Sequence, residues 1–206
     1  MTDPLILGSS SRYRAQALRS LGLVFTQVSP NVDERPRLNE SPETLAARLA
    51  RTKAVNIAQQ HTGAIVVGSD QVGFCSGRLL SKPGSKANAI AVLRQNAGQT
   101  ATFYTGLACA RQDLAGKLRT QLDVCKTELK FRLLTDDQIT RYVDYDDPVD
   151  VAGGFKAESL GIALFDYIRA DDPSALIGLP LIALTQQLQS FGIDPLSAKA
   201  WEPRAT

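Results

Sequence analysis

Hydrophobic and polar positions along the chain follow two different periods. Residues 4–8 ("PLILG") form a short apolar run that reads as a buried strand, and residues 12–21 carry helical spacing closed by Gly22. Residues 25–29 read as a second strand, and "NVDERPRLN" (31–39) as a polar loop. Ser41 as N-cap with Pro42 at the first helical position predicts a helix to about residue 60, ended by Gly63. "AIVVG" (64–68) is β-branched and short, a buried strand with "SDQV" at its carboxyl end. Residues 76–84 read as a loop, after which Ser85 caps a helix to about residue 97, closed by Gly98.

Two long strands, 100–111 and 117–134, are predicted around a turn at "DLAG". Apolar positions are even at Leu118, Leu122 and Val124 but odd at Leu129, Phe131 and Leu133, which predicts a bulge or bend near Cys125-Lys126. Thr135 with Gln138 forms a capping box for a helix ending before Pro148. A glycine-rich loop, "VAGGFKAESLG" (151–161), leads to a strand over 162–170, then a tight turn and a last helix over 174–192. Residues 197–206 read as a frayed tail. Strands alternating with helices around a long central hairpin predict an α/β protein with a mixed sheet.

Composition narrows the function classes. The 206 residues suit one large domain or two small lobes. A net charge of +2 is too weak to argue for a nucleic-acid polymer or a membrane surface as partner. No apolar run approaches the roughly 20 residues of a membrane span, and no basic-then-apolar N-terminal segment signals export. Cys75, Cys109 and Cys125 are odd in number and lack metal-ligand spacing, which fits a reducing, cytoplasmic setting. The single histidine, His61, excludes histidine-based zinc sites and Ser-His-Asp chemistry, and reads as a surface residue near a helix end.

Candidate chemistry starts at Ser9-Ser10-Ser11, a strand-to-helix turn that points backbone N–H groups outward at the positive end of a helix dipole. Arg12 and Arg14 lie in the first turn, the unfavourable end for cations unless an anion binds there; the alternative is a plain Ser11 N-cap with solvated arginines. On the helix from Pro42, Leu45, Leu49, Lys53 and Ile57 are spaced four apart, so Lys53 falls on the apolar stripe and must snorkel or meet an anion. Asp70 follows a buried strand, where α/β sheets place ligands, although Ser-Asp also starts ordinary turns. Lys82 precedes Pro83 near a helix start, and Asp33-Glu34 offers loop carboxylates. Carboxylates without histidine suit Mg²⁺ or Mn²⁺ better than zinc. Together these groups are what phosphoryl chemistry on a nucleotide requires. There is no G-x-x-x-x-G-K-[ST], so the chain is not a P-loop enzyme.

"LILGSSSRYRAQAL" resembles the S-x-S-x-x-R start of the Maf-like nucleotide pyrophosphatases. "VDE" (32–34), the lysine of "ARTKA", "GSDQV", "SKP", "FYTGLA", "AGGFKAESLGI" and "IGLPL" follow in that family's order, over nearly the whole chain. "GSDQV", "TFYTGLA" and "GFKAESLGIALF" are most similar to the branch acting on 7-methyl-GTP; other branches act on dTTP and UTP or on several ordinary nucleotides. Gly8 stands where alanine is usual, and Ser81 where glycine is usual.

The resemblance implies a single catalytic domain over residues 1–196 with an inosine-triphosphatase-like, two-lobed mixed sheet around a central cleft. It implies metal-dependent hydrolysis between the α- and β-phosphates of a nucleoside triphosphate. Asp70 would be the proton acceptor. Glu34 and Asp70 would hold a divalent cation, and Ser9, Arg14, Lys53 and Lys82 would grip the triphosphate. Tyr13, Gln71 and Glu158 match the family's specificity positions. Methylation at N7 makes the guanine ring cationic, which Tyr13 could stack on and Glu158 complement. The family also commonly forms homodimers. A different class, a nucleotide-binding division regulator, would have no need of a base, a metal carboxylate and two lysines.

Overall fold

A computed structural model describes residues 4–197. Three strands pair in parallel: β1 (Leu5–Gly8) lies between β2 (Thr26–Val28) and the first half of β3 (Ile65–Cys75). The intervening helices are α1 (Arg12–Arg19) and α2 (Pro42–Ala58). The end of β3 turns back into a short β4 (Arg78–Leu80), followed by α3 (Lys86–Asn96). β5 (Thr100–Gln112) and β6 (Leu118–Phe131) form the long hairpin, then come α4 (Asp136–Asp146), β7 (Phe165–Ala170) and α5 (Leu181–Ser190). The sheet is mixed, in order β2-β1-β3-β5-β6-β7, with β4 added at the end of β3.

The sheet forks at one point, and the fork makes the cleft. β1 pairs with β3 as far as Gly8 opposite Gly68, and β4 takes over only from Leu80 opposite Gly73. Residues 69–72 of β3 therefore have β5 on one side and no partner strand on the other. On one side of the fork, Leu7, Leu18, Val67, Leu107 and Leu184 pack β1, β3 and β5 under α1 and α5. On the other side, Phe103, Phe131, Phe155 and Phe165 pack with ring centroids 4.8–5.8 Å apart, edge to face around Phe155 and tilted between Phe131 and Phe165, under α3 and α4. The expected two-lobed mixed α/β arrangement around a cleft is present, with β5 and β6 running through both lobes.

Helix α2 covers the opposite sheet face at unusually close range. Ala46, Ala50 and Ala54 face the sheet, and Gly68 and Gly106 lie beneath them. A Cβ on Gly106 would lie 2.3 Å from the Ala46 carbonyl oxygen, and one on Gly68 would lie 2.4 Å from that of Ala50. Small residues on both surfaces let helix and sheet backbones approach.

Three expectations need correction. The strand expected over 64–68 runs to Cys75, so Asp70 lies inside a strand, not after one. Its apolar run breaks at Ser69-Asp70 because those side chains serve the cleft and a turn. The loop expected over 76–84 contains β4. The bulge expected at Cys125-Lys126 is absent: β5 and β6 pair without interruption from Thr100 opposite Lys130 to Gln112 opposite Leu118, and the irregularity falls at Lys130/Phe131 against β7. The parity switch has another cause. Leu118 packs on the α2 face, whereas Leu129 and Phe131 pack on the opposite face under α4, so the covered face changes along a regular strand. The tail expected over 197–206 lies outside the described residues from 198 onward.

Candidate active site

Lys53 is buried to 4% exposure, and its ammonium nitrogen lies 2.6 Å from Asp70 Oδ1 and 2.6 Å from Glu34 Oε1. The close seating of α2 on Gly68 and Gly106 brings the lysine to the sheet, and the end of β1 leaves Asp70 uncovered to receive it. Of the two readings of this lysine, the anion is the correct one. A buried ammonium is costly without compensation, and two carboxylates with one lysine leave the trio with one net negative charge. Glu34 comes from the 31–39 loop and is exposed, so only one of the two acids is fixed by regular structure. Asp33, its neighbour, is drawn away to Arg35, whose guanidinium holds the Asp33 carboxyl down at about 2.

The serine turn lies beside this trio. Ser9 is buried; its hydroxyl oxygen accepts from the Ser11 amide at 3.1 Å and from Arg14 Nη1 at 3.3 Å. Ser11 is the N-cap, accepting from the Arg14 amide, as the capping reading expects, and Arg12 is exposed. Arg14 Nε donates to the Gly178 carbonyl at 2.8 Å, tying α1 to the turn before α5. Burial pulls the Arg14 guanidinium below its ordinary value, and Asp70 and Glu34 oppose that shift; an arginine so placed remains a cation.

The nine site residues that the resemblance implies line one cleft of about 960 Å³: Ser9, Tyr13, Arg14, Glu34, Lys53, Asp70, Gln71, Lys82 and Glu158; Asp33 does not line it. Lys82 and Glu158 are exposed on its far wall. Gln71 has a larger structural role than expected. Its amide nitrogen donates to Thr105 Oγ1 and to the carbonyls of Ala175 and Leu176, 3.0–3.1 Å away. Tyr13 is already engaged as well: the Arg12 guanidinium lies over its ring at 4.8 Å.

Several contributors escape the sequence reading. Ser69 donates to the carbonyls of Gly106 and Gly178, each at 2.8 Å, and Thr105 donates to Ala175 O at 2.9 Å. Asp172 is buried and accepts from the amides of Ser174 and Ile182, capping the start of α5. These side chains fasten the 173–178 turn to the cleft floor. Ser69 and Gln71 flank Asp70 in a run of three polar residues, and Thr105 lies on another strand, so no periodic pattern marks that face. Arg48 is a second such support: it pairs with Glu40 at 2.6 Å and donates to the Arg35 carbonyl, pinning the loop that carries Glu34. Asp150 also lines the cleft, 3.3 Å from Arg12 Nη2.

The fold is that of a mixed α/β protein whose sheet forks over a carboxylate-lysine cluster, with a serine turn at a helix start beside it. The chain belongs to the Maf-like protein family, whose model matches residues 4–191. It is similar to proteins named 7-methyl-GTP pyrophosphatase: that of Idiomarina loihiensis is 45% identical over 96% of this chain and 99% of its own. That of Bordetella pertussis is 47% identical over 94% of each chain, and that of Bordetella avium 48% identical over 93% of this chain and 95% of its own. Among solved structures, a HAM1 protein of Coxiella burnetii aligns over 92% of this chain and all of its own, with 16% identity and a TM-score of 0.48.

Proposed function

We propose that this protein is a nucleoside triphosphate pyrophosphatase that hydrolyses 7-methyl-GTP to 7-methyl-GMP and pyrophosphate. The observation that carries the reading is the buried Lys53 between Asp70 and Glu34, placed in the same cleft as the Ser9–Arg14 turn. The names of its relatives supply the substrate. In this reading the triphosphate lies along Ser9, Arg14, Lys53 and Lys82, which bring donors and positive charge to the phosphates. Asp70 takes a proton from water. The water oxygen bonds to the α-phosphorus, the bond from that phosphorus to the α–β bridging oxygen breaks, and pyrophosphate leaves with the electron pair.

Among the described residues, no group of three or more His, Cys, Asp and Glu side chains gathers as a ready-made metal cage. The donor set nevertheless fits a magnesium-type ion. Glu34 and Asp70 present hard carboxylate oxygens converging on one cationic point, and such ions are held by one or two carboxylates plus substrate phosphates. Glu34 and Asp70 would hold it, and when bound it would neutralise developing phosphate charge.

The test is product identity under controlled metal. With 7-methyl-GTP and Mg²⁺ or Mn²⁺, phosphate detection is expected to require added inorganic pyrophosphatase, and EDTA is expected to abolish turnover reversibly. Direct orthophosphate release, or full activity after thorough chelation, contradicts the reading.

A further inference from the structure

Arg12, Tyr13 and Asp150 form a small cluster where the start of α1 meets the loop after α4, and Arg12 and Asp150 have no part in the reaction described above. The Arg12 guanidinium carbon lies 4.8 Å from the Tyr13 ring centroid, over its face. Arg12 Nη2 donates to Tyr13 Oη at 2.8 Å and to Asp150 Oδ2 at 3.3 Å, and Tyr13 Oη lies 3.5 Å from Asp150 Oδ1. Arg12 and Tyr13 belong to the start of α1, Asp150 to the loop after α4, so the group bridges the cleft from one wall to the other. An aromatic face closed by a carboxylate is a general recognition element for a flat cation. A guanidinium is itself planar and delocalised, so it occupies such a site much as a cationic heterocycle would.

We infer that Arg12 is an internal stand-in for the base, and that Asp150 with Tyr13 selects a positively charged purine ring by letting it displace Arg12. The inference rests on the proposed 7-methyl-GTP reading and deepens it. A neutral purine that displaced Arg12 would leave the Asp150 carboxylate without its cation, whereas an N7-methylated ring replaces like with like. Discrimination thus arises partly from what the neutral base fails to replace. The side chains of Arg12 and Asp150 are 72% and 47% exposed, so the effect is a modest one, about three- to tenfold in affinity.

Two partners of one ion pair are expected to give opposite results. Binding of 7-methylguanosine, which lacks phosphates, is measured by calorimetric titration in mildly acidic buffer that keeps the ring cationic, with guanosine as control. Asp150→Asn is expected to weaken 7-methylguanosine binding about threefold or more and to tighten guanosine, which then strands no carboxylate, so that the preference between the two shrinks from both sides. Arg12→Met removes the competitor and is expected to tighten 7-methylguanosine. Asp150→Glu retains the charge and is expected to stay near wild type. If the Arg12–Asp150 bridge served only to hold the walls together, both substitutions would shift binding in one direction; that result, or wild type that fails to prefer 7-methylguanosine, overturns the inference. Opposite shifts in a protein that does not hydrolyse 7-methyl-GTP would uphold the cation site and remove the substrate reading. Hydrolysis of 7-methyl-GTP with unmoved binding would do the reverse.

Discussion

Lys53 shows most clearly how a single residue announces function. Its position in the Leu45, Leu49, Lys53, Ile57 series is legible from spacing alone, because a helix face that is otherwise apolar carries an ammonium only where the side chain snorkels out or meets an anion. What spacing could not supply is the partner. Glu34 and Asp70 lie 19 residues upstream and 17 downstream in the numbering, and only the fold brings both to 2.6 Å. The chemistry predicts an asymmetric outcome at Asp70. Asp70→Asn keeps the shape beside Lys53 and leaves Glu34 as its counter-charge, so folding is retained while turnover falls by about 10²–10⁴-fold. Circular dichroism with kcat on 7-methyl-GTP checks this. A folded variant with normal kcat would remove Asp70 from the role of base.

At the scale of elements, α2 and the loop before it carry the site. The alanine positions of α2 were readable as helix, but the matching glycines lie on two strands far apart in sequence, so their shared purpose is invisible until β3 and β5 pair. Gly106→Ala would drive a methyl group into the Ala46 carbonyl and lift α2 from the sheet. The expected cost is about 1–3 kcal/mol or more, with activity falling further than stability alone explains, because Lys53 moves with the helix. Denaturant titration beside kcat/KM measures both, and equal activity per folded molecule would contradict the coupling.

The loop is held by Arg48, whose guanidinium draws the Glu40 carboxyl down to about 2 from an ordinary 4.5. A depressed carboxylate stabilises the fold above its ordinary value, and the contribution is lost as pH falls toward its folded value. Glu40→Gln is therefore expected to melt lower than wild type at neutral pH and to converge with it in strong acid. Thermal melts across the acid range check the sign; parallel curves would refute it. The elements that sequence reading missed share one cause. β4 is three residues of mixed polarity, and the second half of β3 is interrupted by polar side chains that face the cleft, so neither has the unbroken pattern of a core strand.

For the whole molecule, the fork in the sheet is the feature that brings these parts to one opening. β1 stops at Gly8, β4 begins opposite Gly73, and the uncovered stretch between them holds Asp70 and Gln71. α1 delivers the serine turn to one edge of that opening, and the Lys82 and Glu158 loops close the other. The mixed α/β class was legible from alternating periods, whereas the fork was not, since it depends on where two short strands end relative to a long one. The account's central claim is that this opening cleaves a methylated nucleotide in preference to ordinary ones. The most direct measurement is kcat/KM with 7-methyl-GTP, GTP, UTP and dTTP side by side, each product resolved as monophosphate and pyrophosphate. The account predicts the highest value for 7-methyl-GTP, with 7-methyl-GMP and pyrophosphate in equal amounts. A higher value for UTP or dTTP, or equal values for 7-methyl-GTP and GTP, would contradict it.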